Sequence, residues 1–540
     1  MSSKASVKSG NNRKKGKTEG AGTLIMGQLL EYLLAVIVVV LCVALSLYAK
    51  DGYRKIGNAK FAAYKSVMLV GGGILLAAAA VYIVFWLRER RKARLSVTDG
   101  FVLSYLVLCG ISVISGGFYE DALWGYPGWN MGLFSQVSFV LLYFFLSRFG
   151  RYWRLMIASL CGVSAAVYGI GILHRLMFDP IGFYDGLENY QKAQFLSTMG
   201  QASWYGSFLA VTLPAGMGAF LFARGQRERI LAGAYTMLGF CTLVTQNSDS
   251  AYFAMAGVMI VLFMLSAADR DIFRRFMGML TLFFGAGKLM YLLMKINPNP
   301  ALEVDFVTHL MWTSWVTWAL FVICLTVTVV LYAWGGQRKM EKYTELCMKW
   351  LRRIVPAGAG IVVFGIVLLI FLQTKGALPA AVSGRLAGIS YFNWNDSWGN
   401  GRGRIWRFGM KLFSKADPLH KLFGVGPDCF NAYVTAHYSE EEMLLWGNKQ
   451  LTNAHNEWLN MLITGGIAGA TAYIGIFVTA VRRFVRGCRE NACLAGIFAG
   501  IGAACVSYMC YNFFCYQQVL CTPFVFILMG IGEYILQKET

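Results

Sequence analysis

The chain has 540 residues, 57% of them hydrophobic and only 14% charged, which is more apolar surface than a soluble globular protein of this size can bury. The apolar residues come in long runs rather than in alternating segments of about ten residues, so a β-barrel is excluded. The formal charge of +21 sits between these runs, which argues against a nucleic-acid surface and for membrane lipid as the main solvent.

Residues 1–28 are polar and Lys-rich with no apolar run of their own, and are expected to form a disordered cytoplasmic extension rather than a cleavable signal. Runs of about seventeen to twenty-five apolar residues follow, the length a helix needs to cross roughly 30 Å of hydrocarbon. They predict an all-α polytopic membrane protein of about fourteen spans. The first seven are Leu29–Leu47, Ser66–Leu87, Phe101–Gly117, Met131–Leu146, Leu155–Leu173, Ser203–Ala223 and Ile230–Thr245. The rest are Ala251–Ala267, Phe276–Met294, His309–Trp334, Ile354–Leu372, Glu457–Val481, Ala492–Asn512 and Val519–Leu536. Residues 29–373 thus hold spans 1–11, residues 374–456 form one large outer loop, and residues 457–540 hold spans 12–14 with a short tail. An even number of spans puts both termini on one side. Basic clusters at Arg88–Arg94, Arg148–Arg154, Arg224–Arg229, Arg270–Arg275 and Arg482–Arg489 recur at alternate loops, the positive-inside pattern, and make that side the cytoplasm.

Within this frame several features read as structural. Most of the thirteen cysteines fall in or beside predicted helices, with no disulfide framework and no CxxC pattern. The spacings Gly465/Gly469 and Gly496/Gly500 suit close helix approach in lipid. Asp269-Arg270-Asp271 has a D-x-D spacing but lies in a tight cytoplasmic turn, and Glu440-Glu441-Glu442 reads as a solvated acidic face. Lys288 interrupts the Phe276 span. No internal repeat or matched pair of broken helices is visible.

Polar chemistry gathers instead in the loop 374–456. A connection of about eighty residues is uncommon unless functional or disordered, and this one is too aromatic for disorder, so it is expected to fold onto the bundle. Ile405, Phe408, Leu412 and Phe413 alternate with Arg404, Arg407 and Lys411, which predicts an amphipathic helix at the membrane surface. All five histidines, His174, His309, His420, His437 and His455, fall on the outer side or at its edge, without the spacing of a zinc site. Trp394, Trp398 and Trp406 suit either sugar stacking or interfacial anchoring. Gly424-Val425-Gly426 suits a tight turn or a phosphate cradle.

Four elements of this loop occur in order: Arg402-Gly403-Arg404-Ile405-Trp406, then Gly424-Val425-Gly426, then His455-Asn456-Glu457, then Gly465-Gly466-Ile467-Ala468-Gly469. In a late outer loop of a many-spanning protein, that ordered set resembles the O-antigen ligase and polymerase superfamily, most firmly from Gly401 to Tyr473. The segment Ser197-Thr198-Met199-Gly200-Gln201 is similar to a Gly-rich stretch of the family. Where many relatives carry Ser-Arg, this chain has Asn247-Ser248-Asp249-Ser250, which leaves Arg175, Arg385, Arg404 and Lys288 as alternatives for a second cation.

The resemblance implies a glycosyltransferase of the bacterial cytoplasmic (inner) membrane. It would take a glycan from a polyprenyl (undecaprenyl) diphosphate carrier and move it to a hydroxyl of a glycan, lipid or cell-wall acceptor on the outer face. No nucleic-acid partner, cofactor or metal is implied. Arg402 would stabilise the leaving diphosphate and His455 would serve as base. Arg404, Trp406, Gly424, Gly426, Asn456 and Glu457 would contact substrate. A repeat-unit polymerase of the same superfamily and a lipid-linked oligosaccharide flippase are the alternatives. A flippase would be expected to place charges deep in several spans.

Overall fold

The computed structural model describes residues 20–538 apart from 91, 93, 298, 300, 301 and 335–337. Met1, Thr540 and most of the expected N-terminal tail lie outside the described residues. The first helix already begins at Ala21.

The described residues are mostly helical. A hairpin of α1 (Ala21–Leu47) and α2 (Ile56–Arg88) is followed by α3 (Val97–Gly116), the short α4 (Tyr119–Trp124), α5 (Leu133–Phe149) and α6 (Trp153–Arg175). An outer segment then holds α7 (Asn189–Gln194) and a two-residue antiparallel pair, β1 (Phe195–Leu196) with β2 (Gly200–Gln201). Next come α8 (Ala202–Phe222), α9 (Gln226–Leu243), α10 (Asp249–Ser266), α11 (Arg270–Ile296), α12 (Phe306–Thr313), α13 (Trp315–Ala333) and α14 (Arg338–Thr374). The large loop contains α15 (Ala380–Ala387), a 3₁₀ turn at Ser390–Phe392, α16 (Trp398–Lys415), α17 (Pro418–Phe423) and α18 (Phe430–Trp446). The chain closes with α19 (Glu457–Thr464), α20 (Gly466–Glu490), α21 (Ala495–Tyr511) and α22 (Thr522–Lys538).

Among the described residues, α1, α2, α3, α6, α8, α10, α11, α13, α14 and α20 are long and apolar enough to cross a membrane, and α5 and α21 are shorter apolar helices. Every span expected from sequence falls on a helix. Two of those spans are broken. His309–Trp334 divides at Ser314, whose extended backbone (φ −63°, ψ 133°) ends α12 and whose hydroxyl accepts from Val316 N–H to start α13. A break at membrane depth frees carbonyls that lipid cannot satisfy. Lys288 supplies the missing donors: its ammonium reaches Met311 O at 2.9 Å, Trp312 O at 3.2 Å and Thr317 Oγ1 at 2.6 Å. The charge that seemed to interrupt the α11 span therefore caps the break in its neighbour. The other break, at Gly465, separates α19 from α20.

Small residues set the tightest crossing. A Cβ on Gly218 of α8 would lie 2.4 Å from Gly500 N of α21, so the Gly496/Gly500 spacing does admit close approach. Gly469 has open space at the same point, so the Gly465/Gly469 pair is not a helix crossing of this kind.

Basic helix ends are tied to one another at the end of the bundle away from the loop. Arg148 meets Asp99 at 2.7 Å, Arg270 meets Glu341 at 2.9 Å, and Arg483 meets the buried Glu533 at 2.8 Å. Asp269 caps α11 by accepting from Asp271 and Ile272 N–H, which accounts for the D-x-D spacing as a turn.

At the opposite end the large loop packs down as expected. Ile405, Phe408 and Leu412 of α16 and Phe430 and Val434 of α18 bury against Leu459 and Ile463 of α19. The basic stripe of α16 is paired within the loop at its surface: Arg407 pairs with Asp396 and Lys411 with Glu441. Glu442, expected to be solvated, is buried and accepts from Leu451 N–H at 2.5 Å.

Candidate active site on the outer loop

Arg402 enters α16 through a reversed turn. Gly399, Asn400 and Gly401 are three consecutive left-handed residues (φ 57°, 59° and 88°), a conformation that an L residue such as Asn400 holds at a cost of roughly 1–3 kcal/mol. The turn places the Arg402 guanidinium where Nη1 donates to Gly399 O at 2.9 Å while Nε is buried without a partner. Buried donors of this kind await a ligand or water.

His455 sits on a second left-handed residue (φ 47°), held by its own N–H on Asn453 Oδ1 at 2.8 Å. Its ring stands edge-on to Tyr516, centroids 5.3 Å apart, in the connection between α21 and α22. Neither ring nitrogen has a hydrogen-bond partner among the described residues. Burial first and the Arg402 charge second lower the imidazole from 6.5 to about 4. Trp398 and Trp406, which flank Arg402 on α16, pack on Phe514 at 6.4 and 6.1 Å, and His455 packs on Tyr516, so the arginine and the histidine, far apart in sequence, both lie against the α21–α22 connection. The arrangement offers a neutral base with open nitrogens beside a fixed cation with an open donor.

The remaining sequence candidates have other duties. Asn456 caps α19, its Oδ1 accepting from Leu459 N–H at 3.0 Å, so it does not orient His455. Glu457 is buried and accepts from Gln517 N–H at 2.8 Å, fastening the α21–α22 connection to α19. Arg404 donates to Leu445 O at 2.7 Å and faces Asp396 at 3.4 Å, joining α16 to the end of α18. Trp406 packs with Trp398 (5.3 Å), Trp394 (5.9 Å) and Phe514 (6.1 Å), an aromatic cluster that seats the loop on the bundle. Gly424 and Gly426 form a packing joint: a Cβ on Gly424 would lie 2.3 Å from Thr464 O. The three N–H groups of 424–426 donate to His420, Ile463 and Thr464 carbonyls, and the third also reaches Ser112 Oγ, which leaves none to cradle a phosphate.

The four alternatives for a second cation separate cleanly. Lys288 caps the α12 break, Arg404 is paired, and Arg385 is exposed. Arg175 is wholly buried; Nη2 donates to Glu303 O at 2.8 Å, while Nε and Nη1 have no partner. It lies beside the 247–250 segment, where Asn247 Oδ1 accepts from Asp305 N–H at 2.6 Å. Asp249 in turn accepts from the Tyr391 hydroxyl at 2.8 Å, and Tyr391 O accepts from Trp398 Nε1 at 2.8 Å at the start of the helix that carries Arg402.

Sequence reasoning missed Tyr516, Asn453 and Asp428. The last holds the loop to the segment before α5, its Oδ2 accepting from Tyr126 N–H at 2.8 Å and Met131 N–H at 2.9 Å. The turn-forming run Gly426-Pro427-Asp428 was the available signal. Among the described residues no group of three or more His, Cys, Asp or Glu side chains is placed to hold a metal ion.

Fold and site together define a polytopic helical membrane protein whose polar chemistry is concentrated in one loop packed on the end of the bundle. Residues 306–474, from α12 into α20, match the family model described as O-Antigen ligase. The match contains Arg402, His455 and every other loop residue singled out above, and it supports the resemblance to the O-antigen ligase and polymerase superfamily. No curated protein matches the chain.

Proposed function

We propose that the chain is a glycosyltransferase that moves a glycan from a polyprenyl diphosphate carrier to an acceptor hydroxyl at the outer face of the bacterial cytoplasmic membrane. The observation that carries this reading is that the flanks of Arg402 and the ring of His455 pack on one connection, that between α21 and α22, with both residues inside the segment that matches the O-antigen ligase family. His455 takes the proton of the acceptor hydroxyl, and the hydroxyl oxygen forms a bond to the anomeric carbon. The bond from that carbon to the diphosphate oxygen breaks, and polyprenyl diphosphate leaves with the electron pair.

Each residue type suits its task. A diphosphate is already a good leaving group, so the protein needs chiefly to stabilise its growing charge. The guanidinium fork of Arg402 does this bidentately and stays charged in a poorly hydrated site. Arg175, with two open donors, is the second cation. An imidazole at about 4 is neutral at physiological pH and ready to accept. It is a weak base in the free protein, and a bound diphosphate strengthens it by offsetting the Arg402 charge. Arg404, Trp406, Asn456 and Glu457 support the site by holding its walls. No step calls for a metal ion, so transfer should continue in chelator.

On this reading both termini and the loops carrying Arg90 and Arg227 face the cytoplasm, and Lys421 and Lys449 face outward, as the positive-inside pattern suggests. Ligase and polymerase differ only in the acceptor. The test is the product formed by purified protein from a polyprenyl-diphosphate glycan. Longer chains of repeats indicate a polymerase, a glycan on a new acceptor indicates a ligase, and no transfer with either acceptor overturns the reading.

A further inference from the structure

Asp428 borders two cavities. On its inner side is a small enclosed one of about 30 Å³ that Asn453, Glu457, Tyr516 and Gln517 also line. That volume holds about two waters. On its outer side is an open cleft of about 350 Å³ between the segment 118–126 and one face of α18. This size falls at the lower end of small-molecule sites, roughly 300–1,000 Å³. None of the functions described above uses it.

The lining of the outer cleft specifies a ligand class. Phe118 and Tyr126 supply aromatic surface, and Asp121, Asn431, Thr435 and Gln450 supply polar atoms around Asp428. Several hydrogen-bonding positions are open among the described residues. Asn431 donates through Nδ2 to Leu451 O, which leaves Oδ1. Asp428 uses Oδ2 for both backbone donors, which leaves Oδ1. Gln450 accepts from the Tyr126 hydroxyl through Oε1, which leaves its amide N–H₂. Thr435 has an unpaired hydroxyl. No Lys, Arg or His lines the cleft, and Asp121 and Asp428 do, so nothing there pairs with the charge of a phosphate or a uronate. Acceptors beside a few aromatic rings, without a cation, fit the many hydroxyls and the C–H face of a sugar.

Position gives the cleft its role. Asp428 separates it from the cavity lined by Asn453 and Tyr516, the two residues that hold His455. We propose that this cleft is a subsite for a neutral sugar unit of the acceptor.

The inference rests on the transfer reading for its role but is tested without turnover. Full-length His455→Ala protein in lipid nanodiscs is titrated with neutral disaccharides containing glucose, galactose or N-acetylhexosamine, and with a uronate disaccharide, by ligand-observed saturation transfer. At least one neutral disaccharide should bind, and the uronate at least tenfold more weakly. Thr435 is exposed on α18, so Thr435→Trp fills the cleft without entering the core, and it should weaken binding at least tenfold. Asn431→Ala should act in the same direction. If no disaccharide binds, if Thr435→Trp binds as well as its parent, or if binding appears only with added calcium, the subsite is overturned. Transfer by the wild type can stand when this binding fails, and binding can stand when transfer fails, so the two readings fall separately.

Discussion

Two outer segments each present a histidine near an arginine, and they use the imidazole in opposite ways. At the end of α6, His174 has both nitrogens engaged. Nδ1 accepts from Ser197 N–H at 3.0 Å and lies 3.1 Å from the Tyr53 hydroxyl, and Nε2 faces Asp179 at 3.1 Å. The amide donor fixes the tautomer, so Nε2 carries the proton toward the carboxylate. Tyr53 and Ser197 belong to distant parts of the chain, and the imidazole knots them together. In the large loop, His455 is fixed by its backbone and by a ring contact, and its nitrogens stay open. A histidine whose hydrogen bonds are all made holds a fold. One whose backbone is pinned while its ring is left unbonded can exchange a proton with a substrate.

The sharpest way to break this contrast is to remove the chemistry at the open site. His455→Ala should lower transfer by roughly 10² to 10⁴, and Arg402→Ala by roughly 10² to 10³, in membranes where each variant reaches the wild-type level. Arg402→Lys should recover little, because an ammonium cannot reproduce the planar fork. Near-normal transfer by His455→Ala would make the open histidine a bystander.

His174→Ala tests the other half. It leaves the Ser197 amide and the Asp179 carboxylate without their buried partner, which costs about 1–3 kcal/mol. The expected result is a lower unfolding temperature in detergent, with transfer per folded molecule within a few-fold of wild type. A variant as stable as wild type but inactive would move the base to the closed site.

A pH series sharpens the comparison further. His455 has a folded-state value of about 4 against 6.5 ordinarily, so between these values the unfolded chain binds more protons. Stability therefore falls as pH drops from 6.5 towards 4 and levels below it. His455→Ala should lose less stability than wild type over that window. Arg402→Gln removes the smaller of the two causes and should raise the imidazole value, read from the pH dependence of its ring proton resonances. In the active protein the acid limb of kcat should lie at higher pH than that of kcat/KM, since bound diphosphate favours the imidazolium.

What could be read from the sequence follows the range of the interactions involved. Spans were legible because each is a local run of apolar residues, and α16 because its apolar and basic faces repeat within four turns. Arg402 and His455 were legible as members of an ordered set. The roles of their neighbours were not. Asn456 looks like a substrate contact until α19 is seen to start there, and Gly424 looks like a cradle until Thr464 is found against it. Lys288 reads as a defect in one helix because the break it caps lies in another. Tyr516 carries no local mark at all; only the packing of the α21–α22 connection brings it to His455.

The smallest expected effect comes from the two other histidines of the large loop. His420 sits in α17, where Nδ1 pairs with Asp417 at 2.5 Å and Nε2 lies 3.1 Å from Ser115 O. Its removal spares the cap of α17, because Asp417 Oδ1 accepts from the backbone N–H of Leu419 and of residue 420 itself. The lost ion pair is half-exposed and worth about 0–1 kcal/mol. His437 is exposed and only packs on Tyr433, with centroids 4.9 Å apart. The partners of the two, Asp417, Ser115 and Tyr433, are all outside the turn that carries His455. His420→Ala and His437→Ala should therefore each keep most of the transfer rate and unfold within a few degrees of wild type. Equal loss of transfer in these two and in His455→Ala would show that the loop responds as a folding unit, and the distinction between a bonded and an open imidazole would no longer identify the base.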